Sequence, residues 1–368
     1  MIKIKKISDL KYEIENNPFY TDGKGGQLGD RGFIKDAKVN EVGENFVILD
    51  KNLDDGEYEF KIDEFRQKDI AKQHTAQHIF SALAYNLYNL NTVGFKMSEE
   101  YTTVDLDSKD ITNEMIQTLE IEVNKIIEDS IKLEEIIYSN EDARKLENLR
   151  KQVKDKIKGD VRFIKISNID ICACAGFHVD RTSEIKIFKI INHETIKGHW
   201  TRFYFLAGDR AINDYKAKHE ITKTLTNIFS CKNSEILEML DKNLKEKEKI
   251  EQNYKNILYK FVELSKDNFE KNYFEHNGIK IIIYNENKDI ANILFKYINL
   301  DKFLLISGFD LNYTLMTNTC DCQRLVKNLT ATFPNIKGGG SQKKANIKLD
   351  KIYTKENLLE IIKNCLSE

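Results

Sequence analysis

The 368 residues carry 57 lysines and arginines against 59 aspartates and glutamates, and the net charge of −2 excludes a generally basic nucleic-acid coat while allowing local basic patches. Hydrophobic residues make up 41%, enough for two or three packed cores, yet no stretch approaches the roughly 20 uninterrupted apolar residues of a bilayer span. Six cysteines are too sparse for a disulfide scaffold, and the start "MIKIKKISDLKYEIEN" lacks the apolar block of a secretory leader, so reduced thiols, no membrane and a cytoplasmic location are expected.

In chain order, short apolar runs such as "GFIKDAKV" and "NFVILD" alternate with the turn signals "TDGKGGQLGD" and "DDGEYEF", which predicts a small β-barrel-like domain over 1–66. A helix follows from Asp69 to about Leu90, and a second from Ile111 to Asp129 has Ile116, Leu119, Val123, Ile126 and Ile127 at helical spacing. "YTTVDLD", "VRFIKIS" and "EIKIFKI" read as strands, so 67–210 is expected to be an α+β domain. Residues 211–272 are almost entirely helical. From Ile236 the apolar positions Leu240, Leu244, Ile250, Tyr254, Ile257, Phe261 and Leu264 recur at mostly three or four residues, which predicts a long antiparallel hairpin arm turning at "SCKNS". Strands and helices alternate again over 273–368, a C-terminal α/β domain. The fold class expected is therefore α+β and multidomain.

"KQHTAQHIFSAL", at Lys72 to Leu83, sets two histidines four residues apart on a helix. With about 100° of rotation per residue, Ala76, Ile79, Phe80, Leu83, Leu87 and Leu90 collect on one face, and His74, His78, Ser81 and Tyr85 on the other, with Gln77 at the margin. The histidines are then not core residues, and a solvated surface is the more ordinary reading of such a pair. "ICACAGFHVD" changes this, because Cys174 and His178 also stand four apart. Two histidines from a helix with a cysteine and a histidine from a loop could complete a zinc tetrahedron. A buried thiol pair with a packing role is the alternative for the second half, and Cys172 competes with Cys174 for the ligand position.

These residues resemble the editing domain of alanyl-tRNA synthetases and the free-standing AlaX-type alanyl-tRNA editing proteins. "HTAQH" at His74 to His78 is similar to the family's helix motif, and "CAGFHV" at Cys174 to Val179 to its C-G-G-T-H-V. "FYTDGKGGQLGDRG" at Phe19 to Gly32 looks like the family's glycine-rich loop, and "KGHWTRFYFLAGDRA" like the strand that closes the editing domain. Four motifs in order cover roughly residues 15 to 211. "IKGGGSQKKANIKL" resembles the glycine-rich motif of a domain shared by alanyl-tRNA synthetases and DHH-type phosphoesterases, as in the long form of the free-standing editors.

The resemblance implies zinc held by His74, His78, Cys174 and His178, and hydrolysis of the ester joining serine or glycine to the acceptor end of tRNA(Ala). It favours Cys174 over Cys172, makes Gln27 and Gly26 residues of the pocket near the acceptor end, and leaves Gln77 to hydrogen-bond substrate or orient a water. Four protein ligands describe a closed sphere, whereas catalytic zinc normally keeps a position open. Phe177 stands where the family has threonine, and a ring there is expected to narrow the amino-acid pocket. That departure keeps an alternative open: a tRNA-binding or synthetase-associated module with structural zinc and no deacylase activity. A hydrolase acting on another acyl ester is a more distant reading. Lys337, Gly338, Gly339, Gly340, Lys343 and Lys344 form a basic glycine-rich loop suited to phosphate, although any flexible basic loop would look the same. In relatives the arm and the C-terminal domain contribute to dimerisation, so a homodimer is expected.

Overall fold

A computed structural model describes residues 1–147, 149–153 and 158–366. The chain divides into two compact units, Met1–Thr224 and Leu225–Glu368, and the described residues form a multidomain α+β structure.

The first unit opens with β1 (Ile2–Ser8), β2 (Lys11–Ile14), β3 (Gly32–Ile34), β4 (Ala37–Val42), β5 (Phe46–Leu49), β6 (Gly56–Tyr58) and β7 (Phe60–Ile62). They form one sheet in the order β6-β1-β2-β5-β4-β3-β7. Its two edge strands are consecutive in the chain with only Glu59 between them, so the sheet curls almost closed around Ile4, Tyr12, Ile34, Val39, Val47 and Leu49.

α1 (Glu64–Tyr88) begins five residues before the predicted start, because the Asp63 carboxylate accepts from the Arg66 amide and caps the helix. Next come β8 (Thr92–Met97), β9 (Thr102–Leu106), α2 (Asn113–Glu128), β10 (Leu133–Tyr138), α3 (Asn140–Lys145), β11 (Val161–Ile166), β12 (Asp170–Ala173), β13 (Phe188–Ile196), β14 (Trp200–Ala207) and α4 (Asp209–Phe229). They build a sheet ordered β13-β14-β9-β8 and a second ordered β10-β11-β12. α1 and α2 bury Ala76, Ile79, Phe80, Leu119 and Val123 against Val104, Phe203 and Phe205. Full burial of Phe80 alone is worth about 2–3 kcal/mol.

Two expectations change here. α1 is buried all round from Gln73 to Ala84, so the histidine face is not solvated, while Leu87, placed on the apolar face, is 47% exposed. The helix outruns its core at that end. "EIKIFKI" does not form a strand throughout: Thr182–Ile185 is a 3-10 turn anchored by Thr182 Oγ1 donating to Ile126 O, and left-handed Lys186 delays the strand to Phe188.

The second unit contains α5 (Ile236–Leu264), α6 (Lys266–Lys271), β15 (Phe274–His276), β16 (Ile279–Tyr284), α7 (Lys288–Ile293), β17 (Phe303–Phe309), β18 (Asn312–Met316), α8 (Cys322–Thr332), β19 (Lys337–Gly340), β20 (Lys344–Lys348) and α9 (Lys355–Cys365). The sheet order is β15-β16-β17-β18-β20-β19, with only β16 and β17 parallel. Alternation along β16 and β17 sends Ile281, Ile283, Leu304 and Ile306 toward α8 and α9, and Ile282, Tyr284 and Leu305 toward α7 and Val262 of α5. Most of the predicted apolar stripe of α5, including Leu244, Ile250, Ile257 and Phe261, is solvent-exposed.

"KGGG" is a correction. It is an edge strand rather than a loop, because a Cβ at Gly338 would come within 2.8 Å of Val326 on α8 and 2.7 Å of the Asn346 carbonyl. Among the described residues, no helix is long and apolar enough to cross a membrane.

Candidate metal centre

The site is assembled on α1. Its rotation is fixed by Gln73, whose amide nitrogen donates to Ala207 O at 2.7 Å while its oxygen accepts from Ala207 N at 3.0 Å, so the side chain pairs with the end of β14 as a strand would. The glycine-rich loop is fastened to the start of the same helix. Arg66 Nε donates to Gly29 O, and the buried Asp30 accepts from the Gln67 amide and the Tyr20 backbone. Gly26, at φ 86°, turns that loop where a Cβ would meet the Phe95 ring at 2.7 Å. Gln27 is thereby delivered behind His74.

His74, His78, Cys174 and His178 come together as expected, their donor atoms all within 4.8 Å of one another, so the group could hold a metal ion. Cys174 Sγ lies 3.6 Å from His74 Nε2 and 3.3 Å from His178 Nε2. Burial alone would raise the Cys174 thiol, but the imidazoles of His178, His74 and His78 around the sulfur outweigh it and hold the group far below its ordinary value. Burial lowers His74, and it lowers His178 with help from His78 and His74, to about 3. For His78 burial also lowers, yet Asp170 and Cys174 prevail and raise it to about 10. These directions pair a Cys174 thiolate with a protonated His78; a metal would take the thiolate and displace the His78 proton.

Behind each imidazole stands a second residue. Gln27 Oε1 receives the Phe177 backbone N–H at 3.1 Å, which fixes it as the oxygen, so His74 Nδ1, 2.8 Å away, must be the protonated nitrogen and Nε2 is left free. Thr75 Oγ1 accepts from Val179 N at 3.2 Å and sits 3.1 Å from His178 Nδ1. His78 Nδ1 lies 3.4 Å from Asp170 Oδ2 on β12, and Arg150 grips both oxygens of that carboxylate at 3.1 and 3.0 Å. Cys172 does not join the four donors; it falls with His78 and Asp170 on the far side of the ring.

Three of the four, His74, His78 and Cys174, line a cavity of about 610 Å³ in the first unit; His178 lies behind them. One wall is Tyr20 and Lys24 to Gly26, another Thr92 to Phe95, a third Arg150 to Val153, and the fourth Cys172 to Gly176. Lys24, Arg150 and Lys151 are among the described lining residues, and no carboxylate is. Gln77 and Gly26 are among its lining residues. The Gln77 amide nitrogen donates to Ser81 Oγ at 2.8 Å, leaving its carbonyl oxygen available to the cavity.

Two expected pocket residues are elsewhere. Gln27 is 1% exposed and holds His74 from behind instead of facing the cavity. The Phe177 ring does not narrow the cavity: it packs on Tyr20 at 4.9 Å between centroids, beside a separate hollow of about 350 Å³. Only its backbone N–H serves the centre. Sequence reasoning missed Thr75, Asp170 and Arg150, of which only Thr75 lay inside a motif it used.

In the second unit, Lys337, Gly338, Gly339 and Lys344 line a cavity of about 670 Å³ together with Lys288, Lys348, Phe295 and Tyr313; Gly340 and Lys343 do not.

The domain described as "Threonyl and Alanyl tRNA synthetase second additional domain" matches residues 161–204, from β11 through Cys174 and His178 into β14. The chain is 28% identical over 261 residues to the Alanyl-tRNA editing protein Aarsd1 of Bos taurus, covering 70% of this chain and 59% of that protein. It is 32% identical over 228 residues to the Alanyl-tRNA editing protein AlaX-L of Pyrococcus horikoshii, covering 58% and 55%. Similarity to the Alanine--tRNA ligase of Rickettsia conorii, 27% over 307 residues, covers 79% of this chain and 34% of the ligase. The chain thus spans about three-fifths of the length of Aarsd1. The shared domain, the order of the motifs and these relatives make the chain similar to the AlaX-type alanyl-tRNA editing proteins.

Proposed function

We propose that the protein is a trans-editing hydrolase that deacylates mischarged tRNA(Ala), cleaving the seryl or glycyl ester at a zinc-dependent site. The observation that carries this reading is the cluster of three histidines and one cysteine, of which His74, His78 and Cys174 line a cavity that also has cations and no carboxylate among its described lining residues. The donor set suits zinc. Bonds of about 2.0 Å to nitrogen and 2.3 Å to sulfur separate tetrahedral ligands by roughly 3.6 Å, close to the 3.6 and 3.3 Å found here. When bound, the ion supplies Lewis-acid polarisation of the ester or of a water.

The chain's own residues do the rest. Lys24 and Lys151 draw the phosphates of the acceptor end toward the cavity mouth. Gln77, with its nitrogen tied to Ser81, offers a fixed acceptor to the attacking water or the substrate ammonium. The Phe95 ring, stacked on His74 at 5.4 Å, closes the apolar wall that excludes bulk water. Four protein ligands leave zinc no open position, and this favours the second reading, a tRNA-binding module with structural zinc.

The deciding experiment gives seryl-, glycyl- and alanyl-tRNA(Ala) to protein as purified, stripped by chelator and reloaded with zinc. Release of serine or glycine, lost on stripping and regained on reloading, is expected. Zinc-loaded protein that binds tRNA and releases no amino acid would establish the second reading instead.

The lysine-lined cavity of the second unit supports contact with the tRNA backbone, now from strands β19 and β20. Lys337→Ala with Lys344→Ala is expected to weaken tRNA binding and reduce the slope of log affinity against log salt by roughly 2, about 0.9 per lost phosphate contact. An unchanged slope in a filter-binding titration would remove these lysines from the interface. The exposed apolar stripe of α5 supports a homodimer, which a one-chain mass by light scattering would refute. Six free cysteines fit a reducing, cytoplasmic setting.

A further inference from the structure

Each of the three imidazoles of the centre has its Nδ1 turned away from the common donor point, and two of the backing groups are neutral: the Gln27 amide oxygen and the Thr75 hydroxyl. The third differs in charge. His78 Nδ1 is buried and makes no well-aligned hydrogen bond, and a carboxylate oxygen of Asp170 stands 3.4 Å from it, near enough to accept its proton after a small rotation of the ring. Asp170 is 7% exposed and stands at the start of β12, the strand that leads to Cys174. A buried, ionised carboxylate needs more than one partner, and Arg150 provides it through both oxygens.

We propose that Asp170, clamped by Arg150, is the positioning residue of the metal centre. It accepts the Nδ1–H of His78, so that Nε2 on the Cys174 side is the unprotonated, ligating nitrogen, and it adds a negative charge behind a neutral ligand. A carboxylate behind a ligating imidazole orients the ring and strengthens its donor nitrogen. A divalent ion with one thiolate, Asp170 and Arg150 together would carry one net positive charge, so the arginine is not there to neutralise the site; its guanidinium holds both oxygens of the carboxylate and keeps it from becoming a competing ligand. Both carboxylate oxygens are already engaged by Arg150, so the alternative use of Asp170, with His78 and Cys172 as ligands of a second ion, would first require that pair to break. The other alternative is a purely structural ion pair fastening the stretch that carries Arg150 to the sheet.

The inference rests on the zinc reading of the centre, not on the identity of the ester. Full-length wild type, Asp170→Asn, Asp170→Ala and Arg150→Lys are stripped, reloaded and compared by zinc content, by competition with a chromophoric chelator, by the spectrum of the cobalt-substituted protein, and by melting of the metal-free forms. One zinc per chain is expected in wild type. Affinity should fall about 10–100-fold in Asp170→Ala, and less in Asp170→Asn, which keeps an acceptor oxygen. The cobalt–thiolate bands should shift in both, and Arg150→Lys should lie between wild type and Asp170→Asn.

Asp170 variants that bind zinc as tightly as wild type, with the wild-type cobalt spectrum, would overturn the proposal whether or not their melting temperatures fell. So would a wild type holding two zinc ions per chain that drops to one in Asp170→Ala, because Asp170 would then be a ligand. A wild type that takes up no zinc at all would overturn the zinc reading itself, a failure visible before any variant is compared. Should Asp170→Ala not fold, Asp170→Asn and Arg150→Lys carry the same test.

Discussion

Cys174→Ser is expected to remove stoichiometric zinc and ester hydrolysis together, while the chain still folds. Cys174 Sγ is the point on which His74 and His178 converge at 3.6 and 3.3 Å, and it supplies the only anionic donor of the four. A serine hydroxyl at neutral pH offers neither the charge nor the soft sulfur. Losing several kcal/mol of transition-state charge stabilisation lowers the rate by roughly 10³. Metal analysis after gel filtration, with serine release from seryl-tRNA(Ala), reads both effects. Cys231→Ser is the control, since that free cysteine lies outside the centre and should leave zinc and rate as in wild type. Retention of tightly bound zinc in the Cys174 variant would show that the centre has been assigned to the wrong sulfur.

The second large effect comes from a single methyl group. A Cβ on Gly176 would overlap Gln27 Oε1 and the His74 ring, the two groups whose hydrogen bond sets the tautomer of that histidine. Gly176→Ala must therefore displace either the ligand or the residue behind it. Overpacking of this kind costs about 1–3 kcal/mol of stability, and disturbance of a group backing a ligand costs roughly 10–100-fold in metal affinity. Chelator competition and thermal melting measure the two separately. Gly339→Ala, where a Cβ meets nothing within 4 Å, should change neither. An alanine at 176 with wild-type zinc affinity would mean that the Gln27–His74 contact is dispensable.

The four candidate donors were legible in the sequence because their pairs are local: a helix brings positions four apart together, as at His74 and His78, and a short loop does so at Cys174 and His178. What backs them was not. Thr75 reaches His178 across 103 residues and Gln27 reaches His74 across 47, and no local period records such pairings. Gln27 was found through a motif but given a place in the pocket, since a motif carries identity without direction. The same limit applied to Phe177, whose ring turns toward Tyr20 while its backbone does the work at the centre. Without a ring in the cavity, the argument that this departure removed hydrolysis loses its physical basis. In the second unit, three successive glycines read as a turn, but Gly338 is small because α8 packs on that strand, a tertiary cause invisible to local pattern. The short strands β8, β10 and β12 escaped for a related reason. "TVGFKM" and "LEEIIY" owe their strand state to the neighbours they pair with, not to a strong period of their own.

The hundred residues separating His74 from Cys174 would, with an ion bound, also give the centre a part in biosynthesis. A bond between points that far apart removes roughly 4–5 kcal/mol of entropy from the disordered chain, so an ion held there would act as a late fastening on the first unit. On the zinc reading, a growing chain that has produced only α1 would offer two of the four donors, His74 and His78. Metal capture would then follow the emergence and pairing of β12 and the residues up to His178, so a loaded centre would mark a first unit that has folded at least that far.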